Sequence, residues 1–271
     1  MDVRDKVFLV TGGGNGIGRE LVWALLAKGA RVAAVDLNAE GLAQTASRAL
    51  SVDRLSTHEV NVTDADAVAA LPEAVLAAHG QVDGLVNVAG IIQRFVRFGD
   101  LTNADIAKVM NVNFYGVVHM VQAFLPLLVE RPAASLVNVS SMGGFVPVPG
   151  QTIYGASKAA VKLLTEGLRA ELHGSRVKVT VVFPGAVGTN ITANSGVSIP
   201  GQEPSPEGEA TAAKTTSPAD AAATILRGIE RGSYRVFIGN DARGLDLLTR
   251  IAPERAVDLL AQQMAHLLKA R

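Results

Sequence analysis

The chain has 271 residues, a length that one α/β domain often reaches undivided. Hydrophobic residues make up 48% and charged residues 18%, which excludes charge-driven disorder and favours a large core. Twenty-five basic residues balance 25 acidic ones, so no global positive field exists to hold nucleic acid or an anionic membrane, and the lack of cysteine removes disulfides, thiolate catalysis and Cys-based metal sites.

In chain order, β-branched runs at 6–10, 31–35, 56–60, 84–88, 135–139, 178–182 and 235–238 read as strands. The apolar run before the first glycines is too short for a signal peptide, and with no cysteine the chain is expected in the cytoplasm. Amphipathic stretches such as 18–28, 65–79 and 103–128 lie between the strands. Parallel neighbours need helical crossovers, so this alternation predicts a doubly wound, seven-stranded parallel sheet in a single domain, 1–271. The longest apolar stretch, 117–129, is broken by His119, Gln122 and Pro126 and falls short of the ~20 residues of a membrane span. A soluble protein is expected. Residues 190–217 hold few large apolar side chains, and so long a loop suggests a lid over a substrate. At 253–270, Val257, Leu260, Met264, Leu267 and Leu268 recur at helical spacing, predicting a C-terminal helix that covers the domain or a neighbouring subunit.

Three clusters carry chemistry. The first strand runs into TGGGNGIG at 11–18, with Gly12, Gly16 and Gly18 spaced GxxxGxG before a helical pattern. Glycines there let the backbone turn sharply beside a pyrophosphate, which a helix N-terminus then stabilises. Asp36 ends the second strand, where dinucleotide sites hold a ribose with an acidic residue. Tyr154 and Lys158 stand four apart in YGASK, on one face of a helix. A lysine ammonium beside a phenol favours the phenolate, which makes the tyrosine a usable acid and base. Ser141 ends the strand LVNVS, where a hydroxyl can hold a substrate oxygen. Ser140 is its rival, and strand alternation lets only one of them face the site.

With TGGGNGIG, Asp36, Asn61-Val62, NVAG at 87–90, Asn113 in VNFYG, Ser141, YGASK and Pro184-Gly185 with Thr189 in one order, the chain resembles a short-chain dehydrogenase/reductase. The resemblance implies a Rossmann-like fold and an enzyme that interconverts a secondary alcohol and a ketone with a nicotinamide cofactor, and the Asp36 carboxylate, which would repel a 2′-phosphate, favours NAD over NADP. It implies that Tyr154 donates and accepts the proton, that Lys158 holds the nicotinamide ribose, that Ser141 positions the substrate oxygen, and that Asn113 holds a water. It also implies cofactor contacts from Gly12, Asn15, Gly16, Ile17, Gly18, Asp36 and Leu37. Further contacts are implied from Asn61, Val62, Asn87, Ala89 and Gly90, and from Pro184, Gly185, Val187 and Thr189. A homodimer or homotetramer built on the helices at 103–128 and 153–172 is implied as well. A non-catalytic NAD(H)-binding regulator and an NADPH-preferring carbonyl reductase are the alternatives.

Two positions depart from the family pattern: Asn61 replaces the more frequent Asp, and Val88 replaces the second Asn of NNAG. Asn111 competes with Asn113, but only Asn113 begins N-x-x-G. His58, His79, His119, His173 and His266 read as scattered, so no metal site is expected. Arg94 and Arg97 are expected to be solvated. Arg19 is the one base near the glycine loop, and is expected to point away from it.

Overall fold

The computed structural model describes residues 1–198 and 215–268. The strands are Val7–Thr11 (β1), Arg31–Asp36 (β2), Leu55–Glu59 (β3), Gly84–Asn87 (β4), Ala134–Val139 (β5), Val177–Pro184 (β6) and Arg235–Ile238 (β7). They form one sheet in the order β3-β2-β1-β4-β5-β6-β7, with every pairing parallel. This is the doubly wound, Rossmann-like sheet expected from the alternation. β1, β4 and β5 are buried along their whole length, as strands covered on both faces must be.

Alternation within each strand feeds two cores. Phe8 and Val10 of β1 pack on one face with Leu21, Val22 and Leu25 of Gly16–Ala27 (α1). Leu42 of Ala39–Ser47 (α2) and Ile225 and Ile229 of Pro218–Arg231 (α8) complete that side. Leu9 faces the other way, towards Leu71 and Val75 of Ala65–His79 (α3). Met120, Phe124 and Leu128 of Gly116–Val129 (α5) and Val161 of Thr152–Glu171 (α6) share this second core. Ligands of such sheets bind where the chain leaves neighbouring strands for opposite faces, here beyond the carboxyl ends of β1 and β4.

The predicted helix at 103–128 is interrupted. Asn103–Met110 (α4) and α5 are joined by a π-helical turn, Asn111–Tyr115. Together, Asn103–Val129 is the one helix among the described residues long and apolar enough to cross a membrane by length and composition. Val117, Met120, Val121, Phe124 and Leu128 are nevertheless buried on the sheet, so its apolar character serves the core.

Of the segment 190–217, residues 199–214 lie outside the described residues. Its start forms a short helix, Ile191–Ser195 (α7), and Thr216 pairs with Val187. The C-terminal region also differs from expectation. A helix not predicted, Asn240–Ile251 (α9), precedes Pro253–Gln263 (α10), and 265–268 form a separate 3₁₀ turn. Leu260 and Leu267 are buried on the parent domain, whereas Val257 is exposed.

Candidate active site

The glycine loop is shaped by contacts that exclude side chains. A Cβ at Gly18 would stand 2.1 Å from the Gly12 carbonyl oxygen, so α1 can abut the loop only if this position is glycine. Asn15 caps α1, its Oδ1 accepting from Gly16 N at 2.6 Å. Beyond Pro184 and Gly185, the segment through Val187 carries Thr189 to the loop's far side. The Thr189 methyl lies 3.4 Å from where a Gly16 Cβ would be. A side chain at position 16 would therefore crowd Thr189, whereas bare backbone at a helix N-terminus suits a pyrophosphate. Ile17 packs into the first core.

Asp36 stands at the end of β2 beside this loop. Its carboxylate accepts from Gly14 N and Asn38 N, both at 2.9 Å, and the adjacent Leu37 is 65% exposed. Arg19 does not point away. Its guanidinium folds back over the loop, donating to the Gly14 carbonyl, and Nη2 also reaches Gly41 O (3.3 Å) and Gln44 Oε1 (3.2 Å). Nε donates to Thr45 Oγ1 at 3.1 Å. The reason is local: turning through 12–15 leaves a carbonyl that needs a donor, and Arg19 is one helical turn away.

Asn61 accepts from Thr63 N (3.0 Å) and Thr63 Oγ1 (2.9 Å), so its side-chain oxygen serves its own turn. Val62 packs against Gly116, and its carbonyl accepts from His119 Nδ1. Asn87 is turned inward, Nδ2 donating to Asn138 Oδ1 at 2.8 Å. Thr11 joins β1 to the next segment, its Oγ1 accepting from Val88 N (3.0 Å) and Ala89 N (3.2 Å). Gly90 is a point of close approach: a Cβ there would lie 3.1 Å from Lys158 Nζ and 3.2 Å from Asn113 Oδ1.

The pleat resolves the two serines. Ser140 Oγ donates to Lys158 O at 2.7 Å and ties β5 to α6. Ser141 faces the tyrosine: its Oγ accepts from Gly143 N at 3.1 Å, and its hydroxyl is hydrogen-bonded to Tyr154. Lys158, one turn along α6, donates from Nζ to Val139 O at 3.1 Å. Asn113 is fully buried on the π turn, whereas Asn111 is exposed. Asn113 Oδ1 accepts from Ile91 N, and its Nδ2 donates to Ile91 O and Ser157 Oγ. A π turn adds a residue to the helix and redirects one side chain inward, a common device at functional sites. Lys158 and Asn113 therefore meet over Gly90, while Ser141 and Tyr154 meet over Gly143, with Tyr154 and Lys158 one turn apart on α6.

The electrostatics differ in one respect from the expectation. Burial holds the Tyr154 phenol above its ordinary pKa, against the opposing hydrogen bond from Ser141. Burial likewise lowers the Lys158 ammonium to about 8. In the protein alone desolvation outweighs any help from the lysine, whose Nζ is engaged with Val139 O and lies 6.0 Å from the Tyr154 ring centre.

Several supporting residues escaped the sequence reading. Ser157 Oγ donates to Tyr154 O at 2.7 Å, Ser195 Oγ accepts from Ile92 N at 3.0 Å, and Gln93 is buried against α6. None of the three holds a defining position of a motif or a periodic position that would have marked it. Arg94 pairs with Asp105 at 2.9 Å on the exposed rim, and Arg97 is exposed.

The family pattern of the short chain dehydrogenases matches residues 6–198. The chain is 36% identical over 268 residues to a Mycobacterium tuberculosis protein named "Putative oxidoreductase SadH", with 96% of this chain and 95% of that one covered. A short chain dehydrogenase/reductase from Burkholderia phymatum, solved in complex with NAD, superposes with a TM-score of 0.80 at 26% identity, covering 96% of each chain. A short chain dehydrogenase from Burkholderia cenocepacia, solved in complex with NADP, does so with a TM-score of 0.78 at 26% identity, covering 97% of this chain and 99% of that one. This chain belongs to the short-chain dehydrogenase/reductase family of oxidoreductases.

Proposed function

We propose that this chain interconverts a secondary alcohol and a ketone by hydride transfer with NAD, with Tyr154 as the general acid and base. The observation that carries this reading is the convergence of Tyr154, Ser141 and Lys158 beside a glycine loop shaped for a pyrophosphate. When bound, NAD would supply the hydride acceptor. Gly12–Gly18, Asp36 and Leu37, the backbone around Asn61–Val62, Ala89–Gly90 and the segment Pro184–Thr189 would hold it. In the oxidative direction the Tyr154 phenolate takes the hydroxyl proton of the substrate at Oη. The Ser141 hydroxyl holds the substrate oxygen as its charge changes. Lys158, cationic near neutral pH, favours the phenolate from the same helix face, and Asn113 fixes the geometry around Gly90. Phe95 and Leu268 meet at Gly150 on the rim beside α6, an apolar edge that suits a neutral or lipophilic substrate.

The preference for NAD rests on Asp36. A 2′-phosphate carries about 1.5 to 2 negative charges. Against a carboxylate, each charge pair at ~4 Å costs about 1 kcal/mol in water and ~4 in a more protein-like medium. Arg19 lies near enough to feel Asp36, but its donors are already committed to Gly14, Gly41, Gln44 and Thr45. A preference for NAD of roughly 10² to 10³ is expected. The test is a screen of secondary alcohols and ketones by nicotinamide absorbance with both dinucleotides. Replacing Asp36→Ala together with Leu37→Arg should narrow or reverse the preference. Equal kcat/KM for the two cofactors in the wild type would contradict the role given to Asp36.

A further inference from the structure

Helix α6 starts without a cap of its own: Gln151, at the N-cap position, makes no side-chain hydrogen bond to the first turn. The first-turn N–H groups of a helix have no partners within it and take acceptors from elsewhere. Gln93 provides them. Only 3% exposed, it accepts through Oε1 from Ile153 N at 2.7 Å and from Tyr154 N at 3.1 Å. Its Nε2 donates to Gly150 O at 2.7 Å, and its carbonyl accepts from Gln151 Nε2 at 2.7 Å. The loop after β4 is thereby clasped to the start of the helix that carries the tyrosine.

The neighbours of Gln93 anchor the loop itself. Ile91 exchanges two hydrogen bonds of 2.9 Å with the Asn113 side chain, and Ile92 N donates to Ser195 of α7. Consecutive residues thus hold the π turn, α7 and α6. A cap alone would be met by a serine or aspartate at position 151. An acceptor reaching in from another element adds a fixed distance between that element and the backbone of Tyr154.

We propose that Gln93 is the positioning residue for Tyr154, setting where the phenol hydroxyl stands relative to Ser141 by holding the tyrosine's own backbone N–H. The inference rests on the acid–base role proposed for Tyr154. Misplacing a reacting group by about 1 Å costs on the order of 10² in rate. The glycine loop is untouched by this clasp, so dinucleotide binding should not follow the loss.

The experiment compares Gln93→Met, Gln93→Glu and Tyr154→Phe with the wild type in kcat, KM for NAD, pH profile and thermal unfolding. Gln93→Met removes the acceptor at similar length, and kcat should fall about 10- to 100-fold with KM for NAD within about twofold. Gln93→Glu keeps an acceptor but, when ionised, puts a negative charge beside Tyr154. That charge disfavours the phenolate, so the pH profile of alcohol oxidation should move upward by about half a unit or more. A folded Gln93→Met with wild-type kcat overturns the proposal, as does one that only unfolds earlier or binds NAD more weakly at unchanged kcat. Should Gln93→Met fail to fold, the glutamate variant decides, and an unshifted profile there overturns the proposal. Full activity in Tyr154→Phe would remove the acid–base reading and Gln93's role with it. An inactive Tyr154→Phe beside a fully active Gln93→Met would overturn the role of Gln93 alone.

Discussion

Lys158 shows what the site costs the fold. Its side chain is buried, and burial brings the ammonium from 10.5 to about 8. The folded pKa is therefore the depressed one, and the charged form is penalised only in the folded state. Between about pH 8 and 10.5 the unfolded chain holds more protons than the folded one, so stability rises with pH across that window. Lys158→Met should remove the penalty. Thermal unfolding at pH ~7 without cofactor should show a gain of about 1–2 kcal/mol, a few degrees in midpoint, while turnover falls by ~10² or more. Loss of stability instead would mean that the bond to Val139 O outweighs the desolvation. At this scale the candidate residues were legible because the chemistry proposed for them needs particular residue types at particular spacings, as in Tyr154 and Lys158. Gln93, Ser157 and Ser195 were not legible. Each is one polar residue with a partner distant in sequence (Ile153 and Tyr154 for Gln93, Asn113 for Ser157, Ile92 for Ser195), and such pairings leave neither motif nor period.

At the scale of elements, β-branched runs and alternation placed all the strands to within a residue or two, because buried parallel strands admit little else. Two features depended on how elements meet. The π turn at Asn111–Tyr115 has the same apolar pattern as the helices it joins, so sequence periodicity passes through it unmarked. The histidines read as scattered include a pair that the fold assembles. Ser56 on the edge strand β3 is 2.8 Å from His58 Nε2 and 2.8 Å from His79 Nε2, at the end of α3. One hydroxyl can donate to one neutral ring and accept from the other. Two imidazolium rings would both donate to that oxygen and repel each other. Burial lowers both pKa values below 6.5, and for His79 the neighbouring His58 and Arg31 lower it further. The unfolded chain thus takes up these protons first, and stability should fall as pH drops below about 6.5. Thermal midpoints at about pH 7.5 and 5.5 should differ by several degrees in the wild type and less in a His58→Gln, His79→Gln double variant. An equal difference in both would show that the pair is not responsible.

At the scale of the whole molecule, one apolar face stands out among the described residues. Val118, Val121, Leu125, Pro126, Val129, Leu164 and Leu168 line an apolar groove of about 460 Å³ between α5 and α6, and Leu163 beside it is 68% exposed. We expect a second copy of the chain to cover this face in a dimer or tetramer. Light scattering of the wild type should then give a multiple of 28.2 kDa, and Leu164→Asp should shift it towards the monomer. A wild type that is monomeric at micromolar concentration would contradict this.

The most direct test of the account is the turnover of Tyr154→Phe, measured with the dissociation constant for NAD on the same sample. The substitution removes one hydroxyl and leaves the ring, Ser141, Lys158 and the glycine loop in place. The account predicts that kcat falls by ~10² or more while NAD affinity changes by less than about threefold. Turnover within a few-fold of the wild type would contradict it.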